Sequence, residues 1–266
     1  MKIIRYRDPE GRIHCAAEQP GGERLRLEGD IYGGLRPTQE PARIRYLLAP
    51  VVPTTIWCIG KNFRAHAAEA GMDEPTVPVV FAKGVNSIQH PDAPILLPAA
   101  APNEVDYECE LVVIIGRPCK DATRDSALEY VLGYTCGNDV SARDWQLTTG
   151  GGQWCRGKTF DTFAPIGPCL VTKDEIPDPG ALRIQTVLNG QVMQDSSTRN
   201  MIFDVPTLIE FLSAGTTLAP GTAIFTGTPD GVGFARKPPR YLKNGDRCSI
   251  VIEGIGTLTN PVIGVS

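Results

Sequence analysis

Val105-Asp106-Tyr107-Glu108-Cys109-Glu110-Leu111-Val112-Val113-Ile114-Ile115-Gly116 begins with acids at every second position and ends in five apolar residues. On a strand, alternate side chains share a face, so Asp106, Glu108 and Glu110 point one way and Val105, Tyr107, Cys109 and Leu111 the other. Glu108 and Glu110 then stand about 6.6 Å apart at their Cα atoms, close enough to converge on one cation. The apolar run that follows places the acids at the mouth of a strand entering the core. Acids there are costly unless they are paired or bound to a metal. Taken alone, a Glu-x-Glu pair is more readily a solvated strand end.

A second stretch, residues 132–146, has the same layout and carries Asp139, a third candidate oxygen ligand. Three carboxylates completed by water suit a hard octahedral cation, magnesium or manganese, better than zinc. Arg143 and Gln146 fall one turn apart if a helix starts near Ser141, aiming a guanidinium and an amide at an anionic ligand. By itself Arg143 reads equally well as a surface ion-pair partner. In Gly60-Lys61-Asn62-Phe63-Arg64-Ala65-His66-Ala67-Ala68-Glu69, Asn62 can cap a short helix closed by Gly71. His66 and Glu69 share a face of that helix, and a carboxylate that fixes the imidazole tautomer makes His66 a ready general base. Such a pair is usually solvated surface; its position directly after a Gly-Lys-Asn turn argues for more. Lys158 lies in the glycine-rich segment 150–168, too apolar for a generic solvated stripe. Gly152 to Thr159 can be forced onto a P-loop spacing, but neither a buried strand before it nor a helical pattern after it is evident, which excludes nucleotide binding.

Around these motifs, strands are expected over residues 2–6, 55–59, 79–81, 105–116, 133–140, 169–172, 182–188, 223–226 and 247–252. One helix is expected from Thr123 through Leu128 and Val131 to Gly133, another from Pro206 through Leu208, Phe211 and Leu212 to Gly215. Pro50 and Pro53 divide a small N-terminal domain, residues 1–50, from a β-dominated domain, residues 51–266. The 266 residues carry 26 Lys and Arg against 30 Asp and Glu, with no block of like charge, which speaks against nucleic acid and anionic membranes as partners. No apolar run approaches a membrane span, and no signal core precedes the first charges, so a cytoplasmic protein is expected. Eight scattered cysteines read as free thiols rather than a disulfide framework or zinc knuckles.

The motifs Gly60-Lys61-Asn62-Phe63-x-x-His66-x-x-Glu69, Asp106-Tyr107-Glu108-x-Glu110, Gly137-Asn138-Asp139-Val140-Ser141-x-Arg143-x-x-Gln146, Lys158-x-Phe160-Asp161-x-Phe163, Asn189-Gly190 and Thr226-Gly227-Thr228-Pro229-x-Gly231 occur in that order. Together they resemble the C-terminal domain of fumarylacetoacetate hydrolase across roughly residues 54–263, with Phe63 where that family often has Tyr. The resemblance implies an α+β, β-dominated mixed β-roll assembled as a homodimer. It implies Glu108, Glu110 and Asp139 as ligands of Mg2+ or Mn2+, with Ca2+ also admissible. His66, Glu69 and Lys158 would be catalytic, while Arg143, Gln146 and Thr228 would hold a small oxo-carboxylic acid. The implied reaction is hydrolysis of a carbon–carbon bond in an acylpyruvate or fumarylpyruvate. An oxaloacetate-type decarboxylase or a hydroxyheptadienedioate-type isomerase is the alternative, and a non-catalytic metal-binding protein is the alternative of another class.

Overall fold

The computed structural model describes residues 1–19, 21–69, 71 and 73–264. Cys109–Ile115 is a central strand buried along its whole length, with Val131–Asn138 antiparallel on one side and Ala223–Phe225 on the other. The sheet continues past Val131–Asn138 to Ala164–Thr172, Lys2–Arg7, Ile13–Glu18, Arg24–Asp30 and Gly34–Pro41. Past Ala223–Phe225 it continues to Ile56–Gly60 and Val79–Lys83. A five-stranded sheet, containing Arg183–Leu188, Arg247–Ile252 and Gly256–Gly264, packs across it.

Strand periodicity sorts the core. Cys109, Leu111, Val113 and Ile115 join Ile184, Ile250 and Leu258 in the layer between the two sheets. Val112 and Ile114 face the other way and meet Ile56, Phe81, Ile166 and Phe225, all from the large sheet itself. A flat sheet could not bring those strands together, so the large sheet curls around its own second core. Each fully buried Leu, Ile or Phe in these layers contributes about 1.5–3 kcal/mol. The fold is α+β and β-dominated, as the sequence implied. Among the described residues no helix is long and apolar enough to cross a membrane.

Several expectations need correction. The stretch 105–116 is two strands: Val105–Asp106 pairs with Ser141–Ala142, and the main ladder starts at Cys109. The break arises because Tyr107 N–H donates to Asp106 Oδ1 and Glu108 N–H to Asn138 Oδ1, which diverts both from a strand partner. No helix spans 123–133. Thr123 and Ser126 bond to each other, a 3₁₀ turn covers Ala127–Tyr130, and β-branched Val131 already begins the next strand. The helix expected from Pro206 runs Val205–Ser213, with Asp204 Oδ1 accepting Thr207 N–H as its cap, and its Phe211 faces outward, 42% exposed. Strands Ile13–Glu18, Arg24–Asp30, Gly34–Pro41, Gln191–Ser197 and Gly256–Gly264 were not expected, because their charged and polar residues mask the alternation.

Candidate active site

The strand break at Tyr107 has a consequence for the acids. Asp106 turns away from the other two and accepts the N–H groups of Gly233 and Phe234 at 2.7 and 3.0 Å and Arg143 Nε at 3.0 Å. It anchors Arg143 instead of joining a ligand set. Glu108 and Glu110 remain at the mouth of the ladder, and Asp139 follows the end of the neighbouring strand, its N–H donating to Glu108 O at 2.9 Å. One oxygen from each of Glu108, Glu110 and Asp139 lies within 4.8 Å of the others, and all three residues are buried.

Three buried cations surround the acids. Lys158 Nζ lies 2.9 Å from Glu108 Oε2, 2.7 Å from Asp139 Oδ2 and 2.6 Å from Ser141 Oγ. Lys83 Nζ lies 2.6 Å from Asp139 Oδ1 and 3.1 Å from Val140 O. Arg143 Nη2 lies 2.8 Å from Glu108 Oε1 and 2.9 Å from Asp106 Oδ2, but neither contact is aligned as a hydrogen bond, so these are ionic contacts alone. Burial works against a charged Glu108, yet Lys158 and Arg143 hold its carboxyl down at about 2. Glu110 is pushed the other way, well above the usual carboxylate range, by burial and by its neighbours Asp139 and Glu108. The Gly227 N–H, at 2.7 Å, is its one side-chain hydrogen-bond partner among the described residues. Gly227 can serve because it sits at φ 101, and a Cβ there would meet Asn62 at 2.6 Å.

A buried carboxylate without a cationic partner, between two other acids, fits a divalent ion better than any protein group present. All three donors are hard oxygens, and burial raises the nearby Cys58 thiol well above its ordinary range, so it offers no thiolate to zinc.

Helix α1, Arg64–Glu69, brings the second half of the site. Asn62 does not cap it as expected. Its amide Nδ2 donates to Phe203 O and Thr226 O while Oδ1 accepts Phe203 N–H, tying the start of α1 to two distant loops. His66 Nδ1 is 2.9 Å from Glu69 Oε1, and Glu69 also accepts the Gly231 N–H at 2.9 Å. A carboxylate can only accept, so Nδ1 carries the proton and Nε2 keeps its lone pair. Arg143 precedes a π-helical turn, Asp144–Thr148, rather than a helix from Ser141, and its Nη1 donates to Gln146 Oε1 at 2.8 Å. Thr228 Oγ1 accepts Gln194 Nε2 at 2.9 Å. The glycine-rich loop does lead into a helix, the five-residue α2, Trp154–Lys158, which delivers Lys158. Trp154 packs on Gly60, where a Cβ would come within 2.4 Å of its ring.

Eight of the nine site residues expected from the sequence line one pocket with about 30 Å³ of free space, and Glu69 stands behind His66. Lys83, Asp106 and Gln194 were missed. Lys83 had a signal: two residues after Phe81 on an apolar strand, it must share that residue's inward face. Gln194 had none, because its role depends on a fold-level meeting of residues 109, 186 and 228.

The sequence model of the fumarylacetoacetate (FAA) hydrolase C-terminal domain matches residues 55–263. A fumarylacetoacetate hydrolase domain-containing protein 2 homolog of Dictyostelium discoideum is 51% identical, over 80% of this chain and 73% of that protein. A mitochondrial oxaloacetate tautomerase of Xenopus laevis is 46% identical, over 82% of this chain and 68% of that protein. The crystal structure of a 5-carboxymethyl-2-hydroxymuconate delta-isomerase from Mycobacterium smegmatis superposes with a TM-score of 0.87 at 41% identity, over the whole of both chains. The match of profile, relatives and fold places the chain in the fumarylacetoacetate hydrolase family, whose members are divalent-metal-dependent enzymes.

Proposed function

We propose that the protein interconverts the keto and enol forms of a small 2-oxo dicarboxylic acid of the oxaloacetate type. The observation that carries this reading is His66, held through Nδ1 by Glu69 behind it, lining the same pocket as three buried carboxylates. Magnesium or manganese held by Glu108, Glu110 and Asp139, with calcium also admissible, would supply Lewis-acid polarisation of the substrate's 2-oxo group. In the enolising direction His66 Nε2 would take a proton from the carbon next to that group and deliver it to the 2-oxo oxygen, and in the ketonising direction the reverse, with Glu69 stabilising the imidazolium in between. Two donors are left over for the substrate's anionic oxygens: the Gln146 amide NH₂ and the hydroxyl hydrogen of Thr228. Relatives named as a tautomerase and an isomerase support a reaction of this class.

Hydrolysis of an acylpyruvate or fumarylpyruvate is the second reading, because the same His66 could activate water. It asks Lys158 to steady the charge developing at the attacked carbonyl. All three hydrogens of the Lys158 ammonium are engaged by Glu108, Asp139 and Ser141, which favours a positioning role for Lys158 and hence enolisation. Enol absorbance and pyruvate release, followed together with magnesium, separate the two. The proposal expects accelerated decay of oxaloacetate enol without matching pyruvate. Rapid cleavage of acylpyruvates with no effect on the enol would replace it by the hydrolytic reading.

A further inference from the structure

Arg5 and Arg7 lie two residues apart on the strand Lys2–Arg7 and so project from one face, about 6.6 Å apart at Cα. With His90 they line a cleft of about 290 Å³ that shares no residue with the active-site pocket. Four other arginines of the N-terminal strands and loops are matched to acids: Arg12 with Asp8, Arg24 with Glu18, Arg26 with Glu40, Arg43 with Glu10. Among the described residues neither Arg5 nor Arg7 has a carboxylate within ion-pair distance. Arg5 Nη1 makes one long bond, 3.4 Å, to Ala49 O. Arg7 Nη1 donates to Gly11 O at 2.6 Å, while its Nε is buried with no acceptor. His90 Nδ1 accepts the Ala49 N–H, which leaves its Nε2 as the proton-bearing nitrogen. Burial, and then the two arginines, press His90 below its ordinary value, so the three groups sense one another.

The remainder of the cleft is aliphatic and open to solvent: Val52 is 65%, Val85 55% and Ile13 46% exposed. Unpaired guanidiniums beside exposed valine and isoleucine form a charged end and an oily end within one depression, at the small end of the roughly 300–1,000 Å³ typical of ligand pockets.

We propose that this cleft is a second binding site, distinct from the catalytic pocket, for a small aliphatic carboxylate. Arg5 and Arg7 hold the carboxylate, where the planar guanidinium fork matches its two oxygens, and Val52, Val85 and Ile13 cover the hydrocarbon. Inorganic phosphate would satisfy the arginines but not the aliphatic wall, and a neutral alcohol the wall but not the arginines.

Calorimetric titration of the full-length protein with hexanoate tests the proposal, alongside 1-hexanol and inorganic phosphate. Hexanoate should bind more tightly than either. The double variant Arg5→Gln/Arg7→Gln should weaken it about tenfold or more while the metal-dependent activity stays at the level of the unaltered protein. Val52→Asp, at an exposed position that leaves the fold intact, should weaken hexanoate through charge repulsion and serves if the double variant does not fold. Equal binding of hexanoate by the unaltered protein and by either variant overturns the proposal. So does phosphate or 1-hexanol binding as tightly as hexanoate. Sedimentation showing that either variant dissociates into single chains would assign the cleft to a second copy of this chain and also overturn it.

Discussion

Four buried carboxylates, Asp106, Glu108, Glu110 and Asp139, stand beside three buried cations, Lys83, Arg143 and Lys158, so one negative charge is left over (four minus three). Asp106 and Glu108 share Arg143, and Glu108 and Asp139 share Lys158, while Lys83 serves Asp139. The surplus falls on Glu110. Replacing it by Gln keeps the Gly227 N–H bond and removes the charge, so Glu110→Gln should fold normally and lower magnesium affinity by more than about 100-fold, measured by titration calorimetry. Unchanged affinity would remove Glu110 from the metal site. The raised pKa of Glu110 has a sign that can be checked. Its proton-linked stability is fully present below the unfolded value near 4.5 and is lost as pH rises toward the folded value. Metal-free protein should therefore lose stability as pH rises from about 4.5, and magnesium should cancel that loss while releasing a proton. Calorimetry in buffers of different ionisation enthalpy counts the proton.

The carboxylates sit in or directly at the ends of two long, paired strands, Cys109–Ile115 and Val131–Asn138, whereas the proposed base sits on α1, six residues from Arg64 to Glu69. Isolated helices shorter than about 12 residues do not persist in water. The position of α1 is held by the Asn62 bridges to Phe203 and Thr226 and by Glu69 on Gly231. Because the pocket has about 30 Å³ of free space, substrate entry calls for a neighbouring element to move, and α1, six residues long with His66 and Ala67 as its buried residues, is one that can. Amide exchange across residues 64–69 should slow when oxalate is added to the magnesium-loaded protein. Strong protection without oxalate, unchanged by it, would show a preformed site. The same contrast explains what was legible in the sequence. Glu108 and Glu110 stood out as acids at the mouth of an apolar run, but their joining with Asp139 as one ligand set came from the resemblance of the motifs; alternation alone also put Asp106 on their face, and the break at Tyr107 turns it away. The Thr123 helix was misread because Thr123 and Ser126 bond to each other in a turn that mimics a cap. Asn62 was read as a local cap, although its partners lie more than 140 residues away.

Over the whole molecule, the first 50 residues do not keep a core to themselves. Ile4 and Tyr6 belong to the cluster that contains Leu111 and Leu258, and Ile3 joins Val112 and Phe225. We propose that residues 1–50 form a small unit joined edge-on through the pairing of Ile3 with Leu170. A chain lacking them should lose thermal stability by well over 10 °C, since several fully buried side chains would lose their partners; a smaller change would mark an independent appendage. This sharing was hidden from the sequence because the paired strands Ile13–Glu18 and Arg24–Asp30 bury few residues, Ala16, Ala17 and Leu27, and so show no apolar run. What the curled sheet and α1 achieve together is to set the His66–Glu69 pair against a buried acidic trio. Proton exchange reports that arrangement whatever becomes of the substrate afterwards. Proton NMR in D₂O, following deuterium entry at C3 of oxaloacetate, should show magnesium-dependent exchange about 10²–10⁴-fold faster than in His66→Ala, the range for general base catalysis. Exchange at the buffer rate with the magnesium-loaded protein, or equal exchange in His66→Ala, would contradict enolisation by His66.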